Sequence, residues 1–88
     1  MQESAQFFKA LADDKRLRII HLLGGGEQCA CFLQKEMDLT QSGLSYHMKL
    51  LTIAGIVKAR PDGRWIHYSL AEDFISNANQ KIKQVLES

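Results

Sequence analysis

The sequence predicts a mainly α fold carrying one β-hairpin, in the order α-α-α-α-β-β-α over 88 residues. Three observations carry this expectation. Residues 40–51, TQSGLSYHMKLL, follow a short turn and place apolar side chains at helical spacing. Residues 55–70, GIVKARPDGRWIHYSL, read as strand, tight turn and strand. Residues 71–87 return to helical periodicity, with Ile75, Ala78, Ile82 and Val85 as an apolar stripe.

Taken in order, residues 3–12 form the first helix, with Phe7, Phe8 and Leu11 at helical spacing. Asp13 or Asp14 caps a second helix, DKRLRIIHLL, with Leu17, Ile20, Leu22 and Leu23 inward. Gly24-Gly25-Gly26 stops it, because glycine tolerates the left-handed conformations of a helix end. A short third helix spans about Cys29 to Met37, and Asp38-Leu39-Thr40 makes the turn. Thr40 is a good N-cap for the fourth helix, residues 41–54, in which Leu44, Met48 and Leu51 face the core. Gly55 ends it. A strand follows from Ile56 to Arg60, Pro61-Asp62-Gly63 supplies the turn, and Arg64 to Leu70 returns. The second strand alternates Trp65, His67 and Ser69 on one face with Ile66, Tyr68 and Leu70 on the other, and Trp65 is expected to pack under the hairpin.

A chain of this length is expected to form one domain, residues 1–88, with only a modest core. The stripe on the last helix, with Phe7 and Phe8, exceeds what that core requires, so a symmetric homodimer held by the first and last helices is expected. No apolar run approaches the ~18–20 residues that cross a bilayer. The N-terminus lacks the basic region and apolar core of a signal peptide, so the expected location is cytoplasmic with no membrane partner. Two cysteines one residue apart are poor candidates for a structural disulfide there.

Net charge is only +1, but it is unevenly distributed. From Gln41 to His67 the basic residues are Lys49, Lys58, Arg60 and Arg64, and the only acid is Asp62. A polar helix face followed by a basic hairpin describes the reading half of a winged helix-turn-helix, with double-stranded DNA as partner. On the fourth helix Thr40, Gln41, Ser42, Ser45, Tyr46, His47 and Lys49 form the candidate DNA face. Glutamine can bond adenine through two contacts, serine can bond a base or a phosphate, and small residues such as Ser42 and Gly43 permit close approach. Arg60 and Arg64, with Lys58, are the wing candidates for phosphate or minor-groove contact. The competing reading of both sets is an ordinary solvated surface.

Cys29 and Cys31 hold the only thiols of the chain. They read as buried apolar residues, reactive thiols or ligands for a soft ion. At a helix N-terminus their pKa values are expected to fall. Residues two apart do not share a helix face, so gripping one ion requires the first turn of the third helix to unwind. That distortion would misplace the reading helix behind it. His21, His47 and His67 do not cluster by spacing, and no four-coordinate zinc set is apparent. No nucleophile is paired with a base, and the glycine triplet lacks the context of a phosphate loop, so an enzyme is not expected and no cofactor is required.

Together the segments ALADDKRLRIIHLL, EQCACFL, LTQSGLSYHMKLLTIAGIV and GRWIHYSL, in this order, resemble the ArsR/SmtB family of arsenic- and metal-responsive repressors. The resemblance runs from about Phe8 to Ala71. It implies a homodimeric winged-helix repressor that leaves its operator when an inducer binds. It further implies a Cys29–Cys31 site for trivalent arsenic or antimony, with pH-dependent binding. The chain departs from the pattern where a third cysteine is common, which here is Gln34. The third donor is then solvent, His21 or another group, whereas a monosubstituted organoarsenical needs only two thiolates. Residues 1–28 contain no cysteine and residues 71–88 no histidine, which removes two other metal sites known among relatives. The alternatives are a regulator whose cysteines sense redox state or are inert, and a protein-docking module.

Overall fold

The computed structural model describes residues 1–87. The elements are α1 (Gln2–Leu11), α2 (Asp14–Leu23), β1 (Gln28–Cys29), α3 (Ala30–Met37), α4 (Gln41–Ile53), β2 (Val57–Asp62), β3 (Trp65–Leu70) and α5 (Phe74–Glu87). The order is the expected one with a single addition, the two-residue strand β1.

The helix boundaries follow from local chemistry. Asp13 caps α2, its carboxylate accepting from the Arg16 amide at 3.1 Å, which satisfies one of the unpaired donors of a helix start. Helix α3 closes on Asp38 in the left-handed region, φ 52°, with the Leu39 amide donating to the Gln34 carbonyl at 3.0 Å. Helix α4 closes the same way on Gly55, φ 77°, with the Ile56 amide on the Leu51 carbonyl at 2.9 Å. That closure delivers Ile56 and Val57 directly into the core.

Leu44, Met48 and Leu51 are buried as expected. On α2 the buried face is Arg16, Ile19 and Leu23. Leu17, expected inward, is 51% exposed. At 3.6 residues per turn it lies about 200° around the helix from Ile19, on the far side of the axis. Phe7 is fully buried within the protomer, its ring 6.2 Å from Phe74, and it is therefore not available to a partner. Helix α5 begins at Phe74 rather than at residue 71, and Lys81 reaches Glu3 of α1 at 3.7 Å. No α5 residue is fully buried, and Ile75, Ile82 and Val85 remain exposed.

The sheet is antiparallel with strand order β1-β3-β2. Gln28 pairs with Tyr68 and Cys29 with His67, so the segment leading into α3 is stitched to the hairpin. The hairpin turn is shorter than expected. Asp62 pairs with Trp65, leaving Gly63 and Arg64 as a two-residue loop with Gly63 at φ 64°. Pro61, expected in the turn, lies inside β2 opposite Ile66. It is tolerated because β2 is an edge strand, where a missing N–H need not break a ladder.

Candidate nucleic-acid interface and thiol pair

The start of α4 is built by Thr40, whose Oγ1 accepts from the Gly43 amide at 3.0 Å and lies 3.3 Å from Ser42 Oγ. The turn of chain before it leaves Gln41, Ser42, Ser45, Tyr46 and Lys49 exposed on one side of the helix. Gly43 was expected to ease approach to DNA, but its surroundings give it another task. A Cβ there would sit 3.1 Å from Thr40 Oγ1 and 3.7 Å from the Leu39 side chain. A side chain at position 43 would crowd the hydroxyl that caps the helix.

His47 differs from its neighbours on α4. It is half-buried, and its Nδ1 lies 3.2 Å from Arg16 Nη1. A guanidinium can only donate, so Nδ1 accepts and the ring is neutral in this arrangement. Burial holds the His47 pKa below its ordinary value, with the Arg16 and Lys15 charges acting in the same direction and Asp13 opposing them. The ring also meets Tyr46 edge-on, with centroids 5.2 Å apart.

On the wing the cations are not equivalent. Arg60 donates from Nε and Nη2 to the two carboxylate oxygens of Glu27 at 2.9 and 2.8 Å. The hydrogen bond from Arg60 holds the Glu27 carboxyl below its usual range. Lys58 pairs with Glu72 at 3.1 Å. Arg64, at the turn, and Lys49, on α4, are exposed and form no ion pair among the described residues. Trp65 does not pack under the hairpin; it is 54% exposed. It is the first residue after the turn, at the end of the hairpin farthest from the buried Val57 and Tyr68.

The thiols are already together. Cys29 is the N-cap of α3, with extended backbone at φ −69° and ψ 144°, and only Cys31 lies within the helix. Cys31 Sγ donates to Cys29 Sγ at 2.7 Å, and the Cys31 amide points to the same sulfur at 3.4 Å. The expectation that the helix must unwind to bring both sulfurs to one ion is therefore corrected: the helical spacing rule does not apply to a residue outside the helix. The expectation of two lowered pKa values also holds for only one thiol. Cys29 is lowered because it accepts from Cys31, and Cys31 is raised because it donates. His21 is exposed on α2, and no three His, Cys, Asp or Glu side chains converge on a metal-sized site among the described residues.

Residues 13–59, the span holding this cap, thiol pair and reading helix, match the family model described as bacterial regulatory protein, arsR family. The chain belongs to the ArsR family. It is 36% identical to the transcriptional repressor SmtB homolog of Synechocystis sp., over 98% of this chain and 65% of that protein. It is 39% identical to the arsenical resistance operon repressor of Bacillus subtilis, over 86% of this chain and 73% of that protein. Its fold matches a homodimeric winged helix-turn-helix DNA-binding domain from Mycobacterium bovis, described as a possible ArsR-family regulator. That match has a TM-score of 0.78 and 26% identity, over 98% of this chain and 80% of that one. This is a family of DNA-binding transcriptional regulators, not of enzymes.

Within this ArsR-family chain, two further residues, Arg16 and Glu27, stand beside the site. Arg16 is only 8% exposed and bonds both the end of α1 and His47 of the reading helix. Its signal was legible, because it shares a helical face with Ile19 and Leu23. Glu27 had no local signal, since its partner Arg60 is 33 residues away.

Proposed function

We propose that this chain acts as a homodimeric repressor that binds operator DNA through α4 and the wing. Trivalent arsenic or antimony, held by Cys29 and Cys31, releases it. The observation that carries this reading is the position of the thiol pair. Two free sulfurs 2.7 Å apart stand at the junction of β1 and α3. β1 is paired to the wing strand, and α3 leads through one turn into the reading helix. A soft ion suits two thiolates, and its capture there strains the link to both DNA-contacting elements at once. The arsenical and SmtB-type names of the relatives support the same ligand class, and the cytoplasm is the compartment in which such a regulator meets DNA.

In this reading Gln41, Ser42, Ser45 and Tyr46 face bases or sugar-phosphate, Lys49 and Arg64 meet phosphates, and Thr40 fixes the helix start. His47 positions α4 through Arg16. Gln41→Ala and Ser45→Ala are expected to cost operator binding about 1–3 kcal/mol per lost base contact, with little change on random DNA. Arg64→Ala weakens both and lowers the salt dependence by about one ion. Equal operator affinity for all three variants and the parent, by fluorescence anisotropy, would mean the wrong face has been assigned.

Arg60 is expected to be restrained by Glu27 rather than free for DNA. Glu27→Gln should strengthen binding to random duplex several-fold and steepen its salt dependence by about one ion. Combining it with Arg60→Gln should return both values to the parent's. If the double variant keeps the gain, the effect is simple removal of an acid and Arg60 does not reach phosphate.

The thiol reading is tested by operator affinity with and without arsenite or antimonite, in the parent and in Cys29→Ser and Cys31→Ser. The parent should lose about 5–150-fold in affinity, the usual range for coupled sites, and the serine variants should lose nothing. Release that persists in both serine variants would show that the sensor lies elsewhere. The same proximity supports a second reading, oxidation of the pair. That reading is favoured if peroxide releases DNA reversibly by dithiothreitol while arsenite and antimonite have no effect.

A further inference from the structure

A groove of about 200 Å³ opens between the start of α3, the reading helix and the wing. Cys31 forms part of its wall, Gln41 and Ser45 stand on the α4 side, and Arg64, Trp65 and Tyr68 close the wing side. The Trp65 indole is half exposed here. The geometry points to a composite site for a monosubstituted trivalent organoarsenical: Cys29 and Cys31 hold the arsenic, and its organic substituent lies in this groove against Trp65. The inference rests on the thiol reading given above and specifies the ligand class that fits it.

The donor count sets the first requirement. The chain has two cysteines, and no third ligating side chain converges on them among the described residues. Two thiolates therefore complete a trivalent centre without a retained hydroxide when its third bond is already taken. In an arsonous acid that bond is to carbon. Each thiol passes its proton to one arsenic-bound hydroxide, two As–O bonds break, two As–S bonds form and two waters leave. The oxidation state does not change, so no reductant is needed.

Space and chemistry set the second requirement. Because Cys31 belongs both to the thiol pair and to the groove wall, a substituent on the bound arsenic is carried to the groove mouth. A cavity of about 150 Å³ holds a benzene molecule, so a phenyl group fits in the volume here. An aromatic ring gains from packing on an indole beyond its simple burial. The occupied groove lies between Gln41 and Ser45 on one side and Arg64 on the other, where bases and phosphate would have to come. Release of DNA then follows from obstruction of the reading face and needs no unwinding of α3.

The test compares phenylarsonous acid, methylarsonous acid and arsenite on the full chain. Affinity is read by the emission of Trp65, the only tryptophan, and adducts by native mass spectrometry. The phenyl compound should bind about tenfold more tightly than the methyl compound, the scale of one aromatic contact, and should shift Trp65 emission. In Trp65→Ala, followed by mass and by competition with a dithiol, the margin should fall to about one while methyl binding is kept. Circular dichroism checks that this exposed position leaves the fold intact. Equal affinity for phenyl and methyl in the parent, or a margin that survives Trp65→Ala, overturns the inference. If arsenite still releases DNA in that case, the thiol reading stands without it. If none of the three forms a two-thiol adduct, the thiol reading and the inference fall together.

Discussion

Arg16→Ala should destabilise the protein by about 3 kcal/mol. Arg16 Nε donates to the Ala10 carbonyl at 2.7 Å, Nη2 to the Lys9 carbonyl at 3.1 Å, and Nη1 to His47 Nδ1 at 3.2 Å. Asp13 lies 3.9 Å away, and the guanidinium is nearly enclosed. Truncation leaves carbonyls of the last turn of α1 and the ring of His47 without this donor. Hydrogen bonds to charged groups contribute about 1.5–3 kcal/mol each, and they do not add fully when they share one side chain. A domain of this size has roughly 4–13 kcal/mol in total, so the loss is a large fraction. Urea denaturation should show a lower midpoint with an unchanged slope. Arg16→Lys should restore only part, because an ammonium cannot reproduce the planar fork that reaches two elements at once. A shift of less than about 0.5 kcal/mol for the alanine variant would mean that water replaces these contacts at no cost.

The second large effect is expected on DNA binding, through the outer face of α5. Ile75 is 70% exposed, and Ile82, Val85 and Leu86 are exposed with it. Helix α5 packs on α1 through the Phe7–Phe74 contact, with Lys81 3.7 Å from Glu3, and presents this face outward. If it joins two protomers, Ile75→Glu with Ile82→Glu should give a folded monomer, because neither side chain contributes to the protomer core. Losing the second reading helix should reduce operator affinity by at least about 100-fold, the lower end of the gain from linked sites. Light scattering and anisotropy measure the two effects. A parent that is monomeric at micromolar concentration, or a doubly substituted dimer, removes this face from consideration.

The sequence was most legible where a residue's task is local. Asp13 and Thr40 cap the helices they were expected to cap. Gly55 ends α4, and Leu44, Met48 and Leu51 face inward. The polar face of α4 was visible because helical spacing alone gathers Gln41, Ser45 and Lys49. The misses arise where distant chain segments meet. β1 is only two residues long and exists because β3 lies beside it, so no alternation could reveal it. Phe7 looked like a surplus aromatic until Phe74 was brought against it. Leu17 was placed inward because several leucines and isoleucines compete for one face of α2, and the contacts of Ile19 decided the phase. The thiol geometry was misjudged by one position: with Cys29 as cap rather than first helical residue, its extended backbone turns its sulfur towards Cys31. The pairing of Arg60 with Glu27 spans 33 positions, and basic composition cannot distinguish a restrained arginine from a free one.

The tight packing around Gly43 also limits how this reading surface can diversify. If α4 reads the operator as proposed, a designer or a lineage seeking a new operator would vary its first turns. Positions 41, 42, 45, 46 and 49 are exposed, though Ser42 also touches the Thr40 hydroxyl and Tyr46 the His47 ring. Position 43 lies among them, but any side chain there presses on the Thr40 hydroxyl that holds the helix start. A substitution there requires the Thr40 side chain to give way by a few tenths of an ångström. Variation on this face is therefore most open at the exposed positions and most constrained at position 43, which packs against the capping side chain.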